Sequence, residues 1–300
     1  MSDIESSSVT ANGLQFAVES FGSPADPTVL LVMGLGTQMI GWPDELCRDL
    51  AGRGYRVVRF DNRDIGLSTH LDGQPAPDLV QVLLRRRTPP YGIDDMAADT
   101  IGVIDALGAG PVHLVGASMG GFIAQTVALA APDRLRSLTL IMTSTGSRRV
   151  GRPSAAVVRS VLRRRPVATD RETAIAASLA TFDLIGSPGY PADEGYRREL
   201  AGLGYDRGYD ADGSARQLAA IAAQPDRTAG LRTLRLPTLV MHGLADPLVA
   251  LSGGLALARA VAGARFIGYS GMGHDFPRPL WPTFGNDIAA HLGRAGATDT

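Results

Sequence analysis

Apolar positions change their period along this chain, and the changes mark its elements. Short continuous apolar runs occur at residues 28–33, 55–61, 112–115 and 138–142, and 14–20 reads as a further strand. Between them lie stretches in which apolar residues recur at helical spacing: 43–53, 94–107 (Met96, Ile101, Ile104, Leu107) and 122–131, which ends before Pro132. The rhythm resumes late in the chain with a strand at 238–242, a helix at 254–261, a strand at 265–269 and a helix at 281–292. Strands that are apolar throughout and alternate with helices predict a mostly parallel sheet with helices on both faces.

Between residues 146 and 230 the strands disappear. Helical patterns at 154–165, 171–185, 193–203 and 214–223 are separated by Pro166, Gly186-Ser187-Pro188-Gly189, Gly204 and Gly208. The expected organisation is therefore a core of residues 1–145 and 231–300 interrupted by an all-helical segment, 146–230. Ligands bind beyond the carboxyl ends of the strands in open α/β sheets, and an insertion there reads as a cap over the site.

Composition narrows the chemistry. The chain has no lysine, because all 29 basic residues are arginine, which removes a Walker A phosphate loop and any lysine Schiff base. Five histidines (70, 113, 242, 274, 291) show neither metal-ligand spacing nor clustering with cysteine, so no metal and no cofactor is expected. Cys47 is the single cysteine and reads as a packing residue. A net charge of -1 gives no reason to expect a nucleic-acid partner. The first twenty residues lack the basic and apolar regions of a signal peptide, and the densest apolar run, 29–33, is too short to insert into a membrane. A cytoplasmic location is the expectation. Residues 148–165 hold seven arginines and no acid, which reads as a solvated face of the cap; attraction of an anionic substrate is the alternative.

The most informative segment is Gly116-Ala117-Ser118-Met119-Gly120. Gly-x-Ser-x-Gly alone is a weak signal, but here it follows an apolar strand and opens a helix, the context of a nucleophile elbow. A serine hydroxyl needs a base, and the base needs an orienting acid. His274 follows the strand at 265–269, and Asp246 follows the one at 238–242. Asp275 and Asp44 are the alternative acids. Strand 138–142 ends in Thr143-Ser144-Thr145 and offers no carboxylate. For an oxyanion hole the expected donors are the amides of Met119 and Leu35, with Gly34 and Gly36 as alternatives. Gly34, Met39 and Trp42, with Thr37 and Gln38, are candidates for the substrate-binding wall on the acyl side. Phe276 and Pro277 are candidates for a second wall.

With these residues in place, the chain resembles the α/β-hydrolase superfamily over nearly its whole length. The resemblance rests on Met33-Gly34-Leu35-Gly36, on Asp61-Asn62-Arg63-Asp64-Ile65-Gly66-Leu67-Ser68, on the elbow at Ser118, and on Asp246 and His274 in that chain order. Within it, Gly41-Trp42-Pro43-Asp44-Glu45 and Gly271-Met272-Gly273-His274 are similar to the carboxylesterase branch that includes aclacinomycin methylesterase. Met33 stands where many members carry histidine. The resemblance implies an eight-stranded sheet with a helical lid and hydrolysis of a small-molecule carboxylic ester. A serine at the elbow argues against the relatives that attack with aspartate. Two other readings use the same residues: acyl transfer to peroxide or another acceptor, and a hydrolase-fold binding protein with little turnover.

Overall fold

An antiparallel hairpin opens the structure. β1 (Glu5–Ala11) and β2 (Leu14–Phe21) pair from Glu5 opposite Ser20 to Ala11 opposite Leu14. Asn12 and Gly13 join them at φ of 50° and 76°, the left-handed pair that a two-residue hairpin turn requires. β1 carries no apolar alternation and lies at the sheet edge, mostly exposed, so periodicity misses it. The Asn-Gly dipeptide is the signal that locates it. The computed structural model describes residues 4–75, 77–84, 86–162 and 168–296.

Beyond the hairpin come β3 (Thr28–Val32), α1 (Asp44–Ala51), β4 (Arg56–Phe60), α2 (Leu79–Leu83), α3 (Ile93–Ala106), β5 (Val112–Ala117), α4 (Met119–Ala130) and β6 (Leu135–Ile141). The segment between β6 and the next strand is helical: α5 (Ala155–Leu162), α6 (Arg171–Ile185), α7 (Glu194–Asp206), α8 (Ala211–Ala223) and α9 (Thr228–Leu231). β7 (Thr238–Gly243), α10 (Ser252–Ala260), β8 (Arg265–Tyr269) and α11 (Trp281–Gly296) complete the chain. The eight strands form one sheet in the order β1-β2-β4-β3-β5-β6-β7-β8. β1, β2 and β4 pair antiparallel, and every other neighbouring pair is parallel.

Successive residues of β3 explain why its apolar run is unbroken. Leu30 and Val32 enter the core beneath α3 and α4, while Val29 and Leu31 enter the core beneath α1 and α11. A parallel strand covered on both faces has no polar side. Each such side chain contributes roughly 1.5–3 kcal/mol on full burial. Cys47, on the α1 face, is fully buried, and burial pushes its thiol up to about 12, so it is inert packing.

Several helix boundaries differ from the periodicity: α8 starts at 211 rather than 214, α10 at 252 rather than 254, α11 runs to 296 rather than 292, and α4 and α7 differ as well. α4 starts at Met119 rather than 122, taking Gly120 and Gly121 into its first turn. α7 runs through Gly202 and Gly204 to Asp206 instead of stopping at 203. There the guanidinium of Arg171 lies over Gly202 and pairs with Asp206 at 2.9 and 3.0 Å, a contact supplied by a different helix. α2 and α9 are short helices that periodicity did not reveal. Of the arginine-rich stretch, Arg148, Arg149, Arg152 and Arg159 are exposed, and Arg163, Arg164 and Arg165 lie outside the described residues. Among the described residues no helix is long and apolar enough to cross a membrane.

Candidate active site

β5 ends at Ala117 and α4 begins at Met119, so Ser118 alone makes the turn between them. Its φ and ψ of 54° and -116° are a strained conformation for a non-glycine residue. A Cβ on Gly116 would collide with the Gly120 carbonyl, and one on Gly120 with the Val32 carbonyl, so the elbow closes only with glycine at both positions. The Ser118 amide donates to the Ile141 carbonyl at 2.9 Å, fixing the turn to β6. The N-terminal end of α4 then lies beside the hydroxyl.

Asp246 and His274 arrive on adjacent loops that are stitched together. Leu244 donates to the Tyr269 carbonyl at 3.0 Å and Ala245 to the Met272 carbonyl at 2.9 Å. Asp246 Oδ1 accepts the amides of Leu248 and Val249, both at 2.8 Å. Its other oxygen, Oδ2, lies 2.7 Å from His274 Nδ1, and His274 Nε2 lies 2.9 Å from Ser118 Oγ. The structure thus joins Ser118, His274 and Asp246 in one hydrogen-bonded chain. The alternative acids point elsewhere: Asp275 bonds Ser187 and Arg197, and Asp44 bonds Arg48 and Arg59. His242 lies beneath Asp246, donates from Nε2 to the Val249 carbonyl at 2.8 Å, and is held below the usual histidine range by burial.

Residues 33–37 turn next to the hydroxyl. A Cβ on Gly34 would stand 3.1 Å from Ser118 Cβ and 3.6 Å from Oγ. The Thr37 amide closes the turn on the Gly34 carbonyl at 3.3 Å, and the Gly36 amide is taken by Gln217 Oε1 at 2.9 Å. Among the described residues the amides of Leu35 and Met119 have no protein acceptor, the state an oxyanion hole requires. Asp61 braces the chain just beyond: Oδ1 accepts Met39 N–H at 2.7 Å, and Oδ2 accepts Leu67 N–H at 3.0 Å and Arg207 Nη2 at 2.7 Å. Burial raises the Asp61 carboxyl above its ordinary value against the pull of these donors.

Ser118 and His274 open into a cavity of about 490 Å³ between the sheet and the inserted helices. Gly34, Leu35, Thr37, Gln38, Phe276 and Pro277 line it. Met39 and Trp42 do not, because both are buried behind the wall. The Trp42 ring backs Phe276 at 5.0 Å between centroids, and Met39 is anchored to Asp61. The opposite wall is one that sequence reasoning missed, and it includes Tyr190, Tyr196, Tyr205 and Tyr209. The rings of Tyr205 and Tyr209 stack at 5.9 Å and 27°. Four of the chain's seven tyrosines fall within 190–209, a clustering that carries the signal.

One cluster has the composition of a metal site. Asp64, His70 and Asp210 present donor atoms within 4.8 Å of one another. Arg216 fills their midst, donating to both oxygens of Asp64 at 2.8 Å and to Asp210 at 3.3 Å. A fixed cation already neutralises these carboxylates, so the donor set does not suit a metal ion.

Residues 27–165 match the family model described as alpha/beta hydrolase fold. Rhodomycin D methylesterase of Streptomyces sp. (strain C5) is 29% identical over 305 residues, which cover 94% of this chain and 96% of that relative. RutD of Caulobacter sp. (strain K31), a proposed carbamate hydrolase, is 30% identical over 273 residues, covering 89% and 91%. In fold, the enol-lactonase of Burkholderia xenovorans LB400 superposes with a TM-score of 0.71 at 24% identity, over 96% of this chain and all of that one. The chain belongs to the α/β hydrolase family.

Proposed function

We propose that this chain is a serine carboxylesterase acting on a small-molecule ester through an acyl-enzyme. One observation carries the reading: the continuous hydrogen-bonded chain from Ser118 Oγ through both nitrogens of His274 to Asp246, at 2.9 and 2.7 Å, on the floor of the cavity. Ser118 Oγ bonds to the ester carbonyl carbon as its proton passes to His274 Nε2. Asp246, accepting from Nδ1, holds the imidazole in the tautomer that can take that proton and offsets the positive charge that forms. The carbonyl oxygen becomes an oxyanion between the amides of Leu35 and Met119, donors whose individual removal typically costs about 100- to 1000-fold in rate. Collapse breaks the bond to the alcohol, which leaves with the proton from His274. A water molecule, deprotonated by the same nitrogen, then hydrolyses the acyl-enzyme and restores Ser118.

Residues 146–230 act in this reading as a lid that keeps bulk water from the intermediate. Relatives named as methylesterases support an ester substrate with a small alcohol leaving group. The test is hydrolysis of a p-nitrophenyl ester series by wild type and Ser118→Ala, with intact mass before and after a fluorophosphonate probe. Turnover, with one adduct on Ser118 and both lost in the variant, is the expected result. Turnover that survives in Ser118→Ala would overturn the assignment.

A further inference from the structure

The loop that carries His274 is held by the inserted segment, not by the sheet alone. The backbone amide of His274 donates to the carbonyl of Ile185, the last residue of α6, at 2.7 Å. Gly189 donates to the Gly271 carbonyl at 2.9 Å. The two backbones lie so close that a Cβ on Gly189 would come within 2.6 Å of Gly271 Cα, and one on Gly273 would collide with the Gly186 carbonyl. Side chains close the contact. Ser187 Oγ accepts the Gly273 amide at 2.9 Å and donates to Asp275 Oδ1, and Asp275 Oδ2 accepts Arg197 Nη2 at 3.1 Å. Ser187 and Asp275 are buried, and Arg197 comes from α7, with its guanidinium 5.4 Å from the Phe182 ring centre.

Apart from the Gly189–Gly271 bond, every bond in this set falls on His274 or on a residue beside it, Gly273 or Asp275. The imidazole itself bridges two partners at 2.7 and 2.9 Å, so a small rotation of its backbone breaks one of them. A buried carboxylate is stable only with a charged or hydrogen-bonding partner. Among the described residues Asp275 finds both on the inserted segment, in Arg197 and Ser187.

We propose that Ser187, Asp275 and Arg197 are positioning residues that set the His274 ring, so that the inserted helices are part of the machinery that aligns the base. The proposal rests on the esterase reading above. Without the set, the protein would still bind ester but would present a misaligned base.

Ser187→Ala, Ser187→Thr, Asp275→Asn and Ser118→Ala would be compared on one p-nitrophenyl ester, with active sites counted from the p-nitrophenol burst and folding followed by thermal unfolding. Misalignment of about an ångström costs on the order of 10- to 100-fold in kcat, so Ser187→Ala and Asp275→Asn are expected to lose that much per counted site. KM should stay nearly constant, and Ser187→Thr, which keeps the hydroxyl, should recover most of the rate. If Ser187→Ala does not fold, Asp275→Asn carries the same comparison. An unchanged kcat per counted site beside a lower Tm would make the set purely structural and overturn the proposal. Activity persisting in Ser118→Ala would instead overturn the esterase reading, whatever the Ser187 and Asp275 variants do.

Discussion

Gln217, on α8, accepts the Gly36 amide at Oε1 at 2.9 Å and donates from Nε2 to the Arg63 carbonyl at 2.8 Å. An inserted helix therefore fastens the turn that carries Leu35, through a side chain that is itself fully buried. Gln217→Leu keeps the volume but takes the partner from two part-buried backbone groups, each bond worth about 0.5–1.5 kcal/mol net. A freed turn lets the Leu35 amide drift from the proposed oxyanion position, where the full loss of a donor is worth about 100-fold or more. The expected outcome is a lower urea midpoint together with a kcat/KM reduced by about tenfold, part of that donor's worth. A lower midpoint with kcat/KM unchanged would show that the turn keeps its shape without Gln217.

Asp246 divides its two oxygens between tasks, one for the Leu248 and Val249 amides and one for His274. Asp246→Asn must point its single carbonyl oxygen at the two amides, because its NH2 cannot accept from them. That leaves the NH2 facing His274 Nδ1, which must then accept. The ring proton moves to Nε2, the nitrogen that takes the serine proton in the proposed mechanism. A wrong tautomer of this kind costs on the order of 10,000-fold in kcat. Steady-state kinetics of Asp246→Asn, with circular dichroism to verify the fold, checks this. A loss below tenfold would place the acid elsewhere.

The residues most easily read from the sequence are those whose role is local. Ser118 and Asp246 follow strands buried along their whole length, which print continuous apolar runs, whereas His274 follows the half-exposed edge strand β8. The glycines around Ser118 are legible for the same reason, since the clashes they avoid lie within the elbow and on β3. What stayed hidden depends on partners distant in sequence. α7 continues through two glycines because Arg171 of α6 covers one of them. Met39 and Trp42 sit near the turn in sequence yet point away from the cavity, because Asp61 and Phe276 hold them behind its wall. The tyrosines of 190–209 face the cavity because of how the inserted helices lie on the core, which no periodicity within them encodes.

Gly34 and Gly120 predict opposite failures for the same substitution. A methyl on Gly34 meets Ser118, at 3.1 Å from Cβ and 3.6 Å from Oγ, and stands at ordinary contact distance, 3.4 Å, from the Ala117 carbonyl, so the protein can accept it by shifting the serine a few tenths of an ångström. Gly34→Ala is therefore expected to keep its Tm within a few degrees while kcat falls by about tenfold through misplacement of the hydroxyl. A methyl on Gly120 meets the Val32 carbonyl, which cannot move without breaking the sheet, so Gly120→Ala should fail to give folded protein. Parallel Tm and activity measurements on the pair test this. Equal effects of the two on Tm would contradict it.

His291, on α11, is buried, and burial holds its imidazole down to about 4 from an ordinary 6.5. The unfolded chain takes up a proton as the pH drops through 6.5, whereas the folded one stays neutral there until about 4. Between those values the unfolded state binds more protons, so stability must fall with falling pH. Each unit of pH within the window is worth about 1.4 kcal/mol, so this group alone removes about 2 kcal/mol between pH 7 and pH 5. His242 is depressed in the same direction and adds to the decline. Urea unfolding at pH 7 and pH 5 measures it. His291→Gln, which has no proton to gain, should be less stable than wild type at pH 7 yet lose distinctly less on moving to pH 5. Equal losses in the two proteins would mean that acid destabilisation arises elsewhere.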